Sequence, residues 1–398
     1  MKGLFAGVRV LDLSRMLAGP YGSMLLADMG AEVIKVEDPD GGDPMRVMGP
    51  PYLPDGESAY FLAVNRNKKS VAIELTRPEG RAVFLDLVRT ADVVWHNFRP
   101  GIMDKLGCEY VALASVNPKL IMCSISAYGQ DGPYRDYPAF DLALQAMGGA
   151  MSVTGEPGGA PMRMGLPMGD LSGGMFGAFA VAGALFQRAQ TGKGAHIDLS
   201  LLDCQVSLLS YMAQYFWTDG RVPGPQGTAH ASVVPYQALA TADGHLIVAV
   251  FAEKFWAGFC RAAGRPDWET DPRFASNRDR VAHRAELDAE AAALFPTRTT
   301  AEWLARLHGE GVPAAPILSI DRVLADPQVR HRGMVVEVDH PRHGTIPTLG
   351  TPIKFDPPRP FAPAPPAQLG QHTDEILRGL LGYATERIAA LRAGGAIR

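Results

Sequence analysis

An alternation of strand and helix patterns in the first part of the chain constrains its fold most strongly. Residues 8–13 have the pattern of a strand, and residues 20–30 that of a helix with proline near its start and glycine near its stop. Residues 32–37 have the pattern of a second strand, so the three segments form a β-α-β unit with parallel strands. Further predicted strands follow at residues 70–75, 92–98, 120–126 and 195–199. The sequence therefore predicts an α/β fold built on a parallel sheet.

Length and composition predict more than one domain. A chain of 398 residues is long enough for more than one hydrophobic core. Residues 219–235 are rich in glycine and proline, which is typical of a linker or an active-site loop. Beyond them, residues 236–332 predict a smaller α+β unit with several helices and one strand at residues 245–251. We therefore expect three segments, residues 1–218, 219–333 and 334–398, of which the second is a small domain.

Charge, cysteine usage and missing motifs argue against several classes of protein. The net charge is −4 without a block of like charges, so we expect neither a nucleic acid nor a membrane as partner. The apolar run after Met175 is too short to span a bilayer, and the first residues lead into a strand without a secretion signal. The four cysteines lack metal-ligand or redox spacing, which favours reduced thiols in a cytoplasmic protein. The sequence contains no G-x-G-x-x-G, Walker A or G-x-S-x-G motif.

Asp170 is the first candidate for chemistry. It stands between glycines where a loop, MGLPMGDLSGG (residues 164–174), turns into a long apolar helix predicted over residues 175–186. One interpretation is a helix N-cap, because aspartate is among the best caps. The other is a nucleophile, because a helix N-terminus stabilises a carboxylate and flanking glycines let a substrate approach the backbone.

Two basic loops and three histidines are further candidates. NFRPG, residues 97–101, follows a strand and is either a solvated loop or a site for an anionic ligand. For NRNKKS, residues 65–70, we expect a solvated loop, and the alternative is a contact with phosphate. His96, His196 and His230 lie near site-like loops, but their spacing matches no metal site, and we expect structural roles for them.

Several stretches together resemble one known family. LDLSRMLAGP (residues 11–20), GAEVIKVE (30–37), NFRPG (97–101), MDKLG (103–107), NPKLI (117–121), GDL (169–171), TGKG (191–194) and LGQHTDEIL (369–377) occur in this order. In combination they resemble the class III CoA-transferase family, the group of formyl-CoA transferase and carnitine CoA-transferase. The resemblance extends over nearly the whole chain.

The resemblance implies a fold and a mechanism. The expected fold is a large Rossmann-like, CoA-binding domain built from both chain ends, a smaller α+β domain, and a homodimer of two interlocked subunits. Asp170 falls on the family's catalytic aspartate, whose carboxylate attacks an acyl-CoA thioester to give an anhydride and then an aspartyl-CoA thioester. Backbone N–H groups near residues 169–174 are expected to stabilise the oxyanions. Coenzyme A thioesters and carboxylic acids are then substrates, and we expect no tightly bound cofactor and no metal.

The resemblance also assigns residues to CoA, with departures. The implied CoA contacts are Leu17, Ala18, Leu75, Thr76, Asn97, Phe98, Arg99, Lys105, Ala139 and Phe140. Two basic residues of formyl-CoA transferase are replaced here by Asp38 and Pro138. Phosphate contacts are therefore expected from other cations, with Arg15, Arg46 and the cluster at residues 66–69 as candidates.

The sequence restricts the donor and acceptor substrates less closely than the class of reaction. The tetraglycine loop of formyl-CoA transferase is replaced by GTAHASVVPY, residues 227–236, which resembles members that act on dicarboxylic acids of four to six carbons. Gly169, His230 and Ser232 are the implied substrate contacts, with His230 or Ser232 holding the distal carboxylate. Succinyl-CoA is the expected donor, and itaconate, mesaconate, citramalate or glutarate the acceptor. Alternatives are CoA transfer within one dicarboxylate, an inactive CoA-binding paralogue, and an α-methylacyl-CoA racemase, whose catalytic histidine is Phe140 here.

Overall fold

The computed structural model describes residues 3–357 and 361–398, which form two compact units. The large unit comprises Met1–Ala150, Arg163–Asp219 and Gln328–Arg398, and the small unit comprises Met151–Met162 and Gly220–Pro327. The units depart from the predicted segments in three places, since residues 151–162 join the small unit, and Asp219 and residues 328–333 join the large one. The assignment of CoA binding to the large domain stays a prediction.

A six-stranded sheet forms the centre of the large unit. Its strands are β1 (Arg9–Asp12), β2 (Glu32–Glu37), β3 (Lys68–Ala72), β4 (Val93–His96), β5 (Ile121–Ser126) and β6 (Ala195–Ser200). They are all parallel, in the order β3-β2-β1-β4-β5-β6 of a doubly wound sheet. Strands β4 and β5 are buried along their whole length, because helices cover both faces of such a sheet. The predicted α/β fold with a parallel sheet is confirmed.

Helices connect the strands of the large unit. They are α1 (Ala18–Asp28), α2 (Ala59–Val64), α3 (Pro78–Val88), α4 (Ile102–Lys105), α5 (Tyr110–Val116), α6 (Asp141–Met147), α7 (Met168–Thr191), α8 (Leu201–Leu208) and α9 (Tyr211–Asp219). Helix α7 is longer than the predicted residues 175–186, and by length and composition alone it could cross a membrane. Helices α8 and α9 are separated at Ser210, whose φ is 47°.

Glycines bring α7 against the sheet. A Cβ added at Gly177 would lie 2.6 Å from the Trp95 ring, and one added at Gly174 would lie 2.7 Å from the Ala18 carbonyl oxygen. Side chains at these positions are therefore excluded, and α7 packs closely on α1 and on Trp95. The C-terminal end of α7 leads into β6, so its N-terminus with Asp170 lies at the edge where the parallel strands end, which is where such sheets bind ligands.

The small unit has more strands than the sequence predicted. Its antiparallel sheet has the order β7-β8-β9, with β7 (Tyr236–Ala240), β8 (His245–Ala249) and β9 (Ala314–Pro316), where one strand was expected. β7 has five residues and β9 only three, of which the last is proline, so neither pattern stood out from loops. The helices are α10 (Glu253–Ala263), α11 (Asp267–Thr270), α12 (Asn277–Ala282), α13 (Arg284–Leu294), α14 (Thr300–Gly309) and α15 (Ile320–Ala325), and α16 (Pro327–His331) leads out of the unit. Stacked aromatic rings fill its core, among them Trp256, Phe259, Trp268 and Phe295.

The last segment returns to the large unit. It contains the hairpin of β10 (Val335–His340) and β11 (Gly344–Leu349) and the helices α17 (Thr373–Gly379) and α18 (Thr385–Ala393). The Ala72 N–H donates to the Thr373 hydroxyl at 3.1 Å, and Ile73 pairs with Ile397. These bonds hold the chain end beside β3. The proline-rich residues 356–357 and 361–366 form no helix or strand, and residues 358–360 lie outside the described residues.

Candidate active site

Asp170 lies in the first turn of α7 and is half-buried. The N-cap of this helix is Pro167, and no side chain caps it, so the interpretation of Asp170 as the N-cap is wrong. The Asp170 carboxylate is therefore not used to cap the helix and can contact a substrate. Of the backbone donors expected for an oxyanion, the Asp170 N–H bonds to Asp141 and the Leu171 N–H to the Pro167 carbonyl. Those two groups are therefore already occupied.

A second carboxylate, that of Asp141, is hydrogen-bonded to the Asp170 backbone. Asp141, the first residue of α6, accepts the Asp170 backbone N–H at 3.2 Å. Its other oxygen accepts from Gln145 Nε2 at 2.6 Å, and Gln145 Oε1 accepts from the Met164 N–H at 2.9 Å. Helix α6 therefore fixes the loop that leads into α7. A Cβ at Gly169 would lie 2.8 Å from Asp141 Oδ1, so this position requires glycine.

Burial and the neighbouring carboxylate change the acidity of Asp170. Burial first, and then the charge of Asp141, raise the pKa of Asp170 to about 7. A carboxyl group whose pKa lies near neutrality is more basic than an ordinary aspartate and therefore a better nucleophile once ionised. Burial and the charge of Asp170 also raise the pKa of Tyr60 to about 12, which keeps this hydroxyl protonated as a donor.

Asp170 lines a cavity of about 180 Å³. Seven residues that the family resemblance assigns to CoA line the same cavity: Leu17, Ala18, Asn97, Phe98, Arg99, Ala139 and Phe140. The residues come from the loops that follow β1, β4 and β5 and from the turn before α6. Parallel strands place those loops at one edge of the sheet, which is why positions so distant in sequence meet.

A larger cavity of about 460 Å³ is lined by some of the same residues. Asn97, Phe98 and Arg99 line both cavities, and Leu75 and Thr76 line only the larger one. The Asn97 side chain connects the loops, because its Oδ1 accepts the Arg15 N–H at 2.8 Å and its Nδ2 donates to the Arg15 carbonyl at 2.7 Å. Two adjoining cavities of this kind suit an elongated ligand whose reactive end reaches Asp170.

Three predicted phosphate contacts are corrected by the structure. Arg46 donates to both Glu37 oxygens at 2.8 and 2.7 Å, and Arg66 donates to both Asp28 oxygens at 3.0 and 2.5 Å. Lys68 is buried and lies 3.0 Å from Asp12. A phosphate would have to displace these carboxylates, so the cluster is neither a solvated loop nor a free anion site. Arg15, the remaining candidate, lines the larger cavity.

Three other predicted site residues are not among the described residues that line the two cavities. Lys105 is on α4. His230 and Ser232 belong to the small unit, where the Ser232 N–H donates to His230 Nδ1 at 3.1 Å and Arg284 donates to the His230 carbonyl at 2.7 Å. Their roles in binding CoA and substrate stay predictions.

One group in the large unit has donors that could surround a metal ion. Donor atoms of Glu57, His340 and His343 lie within 4.8 Å of one another. The guanidinium of Arg342 already pairs with Glu57 and lies 2.8 Å from Asp55. Arg342 therefore already neutralises the carboxylates of Asp55 and Glu57, which would otherwise favour a metal cation.

Sequence reasoning did not give a role to Asp141, Gln145 or Tyr60. The spacing of Asp141 and Gln145, four residues apart on one helix, is typical of a hydrogen-bonded pair and was the available signal. Tyr60 had no such signal, because the short helix α2 was not predicted and its approach to Asp170 depends on tertiary packing.

Comparisons with known proteins identify the family. Asp170 lies at the carboxyl end of the parallel sheet and lines a cavity that shares Asn97, Phe98 and Arg99 with a larger one. Over residues 5–373 the chain matches CoA-transferase family III, and it belongs to that family. The expected class of enzyme is therefore confirmed.

Two relatives and one solved structure document the likeness. The chain is 40% identical over 391 residues to succinyl-CoA:glutarate CoA-transferase of Mus musculus, covering 98% of this chain and 89% of the relative. It is 41% identical over 382 residues to succinate–glutarate CoA-transferase of Agrobacterium fabrum, covering 94% and 95%. The crystal structure of a CAIB/BAIF family protein from Brucella suis superposes with a TM-score of 0.84 at 38% identity, covering 96% of this chain and all of that one.

Proposed function

We propose that the protein transfers CoA from succinyl-CoA to a dicarboxylic acid of four to six carbons, with glutarate as the first acceptor to test. The observation that carries the proposal is the position of Asp170, a half-buried carboxylate in a cavity lined by seven residues that the family resemblance assigns to CoA. The two relatives at 40% and 41% identity, both named for succinate or succinyl-CoA and glutarate, support the substrate class.

Asp170 performs the chemistry in this proposal. Its carboxylate oxygen attacks the thioester carbon, and the C–S bond breaks to release CoA thiolate and leave an acyl aspartyl anhydride. The thiolate then attacks the aspartyl carbonyl and releases succinate, which gives an aspartyl-CoA thioester. The carboxylate of the acceptor attacks this thioester, and the returning thiolate takes the new acyl group and frees Asp170. One thioester replaces another, so the exchange requires no ATP.

An acceptor panel tests the proposed substrate class. The purified protein is mixed with succinyl-CoA and, separately, with glutarate, itaconate, mesaconate, citramalate or valerate, and new CoA thioesters are separated by chromatography. We expect glutaryl-CoA or another C4–C6 dicarboxyl-CoA to form much faster than valeryl-CoA. Faster transfer to valerate, which lacks the second carboxylate, would contradict the proposed class of acceptor.

The activity should depend on pH through Asp170. Because the nucleophile must be ionised and its pKa is raised to about 7, kcat/KM is expected to rise with pH and to reach half its plateau near pH 7. Asp141→Asn removes the neighbouring charge and keeps an acceptor for the Asp170 N–H, so the midpoint should fall by about half a unit to one unit. Asp131→Asn, on the exposed loop after β5, is the control and should leave the midpoint unchanged. An unshifted midpoint in Asp141→Asn would contradict this account.

The finer features of the fold are also proposals. We assign the large unit as a Rossmann-like CoA-binding domain, the protein as cytoplasmic, and the assembly as an interlocked homodimer. Exposed aromatic side chains on α7 and α9 support the dimer, since Phe179 is 78%, Phe186 69% and Trp217 73% exposed in the single chain. Light scattering should give twice the 42.7 kDa of one chain, and a monomeric mass would contradict the dimer.

A further inference from the structure

The arginines of the large unit differ in whether their side chains already have a carboxylate partner. Arg46 and Arg66 are held by carboxylates of the same unit. In the described part of the chain, the guanidinium groups of Arg15, Arg99 and Arg135 form no ion pair or hydrogen bond. All three line a cavity. An unpaired guanidinium beside a cavity is available to an anionic ligand, with which it can form two parallel hydrogen bonds.

These three arginines are distributed unequally between the cavities. Arg15 lines only the larger cavity, Arg99 lines both, and Arg135 lines only the cavity that contains Asp170. Arg15 also lies over the Phe98 ring, 5.4 Å from its centroid, in a cation–π contact. Arg135 is the cation confined to the reaction end of the site. It forms no ion pair with Asp170 and therefore stays free for a substrate.

The two anionic ends of a dicarboxyl-CoA need cations at different places. The phosphates lie at the far end of the pantetheine arm from the thioester, so they belong in the larger cavity when the thioester is at Asp170. The distal carboxylate of a succinyl or glutaryl group is separated from its thioester carbon by only two or three methylene groups. It therefore remains in the Asp170 cavity, where an unpaired carboxylate would be costly without a cation.

We infer that Arg135 binds the distal carboxylate of the acyl group and so determines the preference for dicarboxylates; the inference rests on the proposed function. Arg15 and Arg99 then remain for the phosphate end of CoA. The assignment differs from the sequence-based prediction for His230 and Ser232, and it names a residue that the resemblance did not.

The loop after β5 presents Arg135 in a defined conformation. The turn is closed by the Arg135 N–H to the Gly132 carbonyl at 3.3 Å and by the Tyr137 N–H to the Tyr134 carbonyl at 2.9 Å. Its aromatic residues pack on one another, with ring centroids 5.7 Å apart for Tyr128 and Tyr134 and 5.4 Å apart for Tyr134 and Tyr137. Tyr137 also lines the Asp170 cavity. The guanidinium is therefore carried by a packed turn at the mouth of the site.

The test compares two donors that differ only in the distal group. Succinyl-CoA and butyryl-CoA have acyl chains of the same length, but butyryl-CoA has a methyl group in place of the carboxylate. For Arg135→Ala we expect kcat/KM to fall about 10- to 100-fold with succinyl-CoA and to change less than about threefold with butyryl-CoA. Arg135→Lys should recover part of the loss, because it restores the charge but not the two-pronged geometry. Arg15→Ala is the matched variant and should weaken both donors by the same factor.

The results for Arg135→Ala, His230→Ala and the wild type distinguish the inference about Arg135 from the proposed substrate class. Equal losses for both donors in Arg135→Ala would place this side chain on the CoA moiety and overturn the inference. A selective loss with succinyl-CoA in His230→Ala, and none in Arg135→Ala, would assign the carboxylate to His230 instead. A wild-type enzyme that uses butyryl-CoA as well as succinyl-CoA would overturn the proposed substrate class and the inference with it. Arg135 is exposed, so its replacement is not expected to unfold the protein, and an unchanged circular dichroism spectrum checks this.

Discussion

Replacement of Asp170 by alanine is expected to reduce CoA transfer at least about 10³-fold, because the variant has no nucleophile for the thioester. Mass spectrometry after mixing with succinyl-CoA provides the direct measurement. Trapping with hydroxylamine or borohydride should modify wild-type protein at Asp170 and leave Asp170→Ala unmodified. An adduct on another residue in both proteins, with transfer retained, would remove Asp170 from the reaction.

Asp170→Asn separates the loss of chemistry from a loss of folding. The folded-state pKa of Asp170 is raised from 3.8 to about 7, so its contribution to stability is full below pH 3.8 and is lost as pH rises through about 7. Asparagine has no charge to bury, and the inactive variant should therefore be more stable than wild type above pH 7, on the order of 1–3 kcal/mol. Thermal unfolding at pH 5 and pH 8 measures this difference. An inactive variant that is less stable at pH 8 would indicate a mainly structural role.

The parallel sheet could be predicted because strands β1 to β5 are largely buried and its helices are amphipathic or apolar. β2 occupies residues 32–37, as its pattern indicated. β3 begins two residues earlier than predicted, because Lys68 and Lys69 do not look like strand residues. Lys68 is nevertheless buried, and its charge is matched by Asp12 across the sheet. A partner 56 residues away leaves no local signal.

The same limit applies to the candidate site. Asp170 could be singled out because glycines, an acidic residue and a helix start coincide in one stretch. Its raised pKa could not be predicted, because it depends first on burial in the folded protein and then on Asp141, which is 29 residues away and accepts the Asp170 N–H. Whether an arginine can bind an anionic ligand likewise depends on carboxylates that are distant in sequence, such as Asp28, which forms an ion pair with Arg66. Residue type predicted which groups could bind an anion, and tertiary contacts decided which of them are free.

The stability of the sheet should depend strongly on Asp12, the last residue of β1. This carboxylate is completely buried and accepts from the Ser14 N–H, the hydroxyls of Ser14 and Ser23, and Lys68 Nζ. Burial alone would raise its pKa, but Lys68, Lys35 and the two hydroxyls outweigh burial and lower it to about 2. Asp12→Asn leaves Lys68 without its counter-charge, and we expect the free energy of unfolding to fall by about 3–5 kcal/mol at neutral pH. Glu310→Gln, which breaks the exposed pair with Arg261, is the control and should cost less than about 1 kcal/mol.

The pH dependence of this deficit identifies its electrostatic origin. Asp12 has a lowered pKa in the folded state, so its stabilisation is present above pH 3.8 and is lost as pH falls through about 2. Burial lowers the pKa of Lys68 to about 8 although Asp12 opposes this, and removing Asp12 lowers it further. The variant therefore begins to recover stability at a lower pH than wild type, and the deficit should shrink as pH rises towards 8. Denaturant unfolding should show the largest deficit between about pH 4 and neutrality, whereas a deficit independent of pH would indicate lost packing and not an unpaired buried charge.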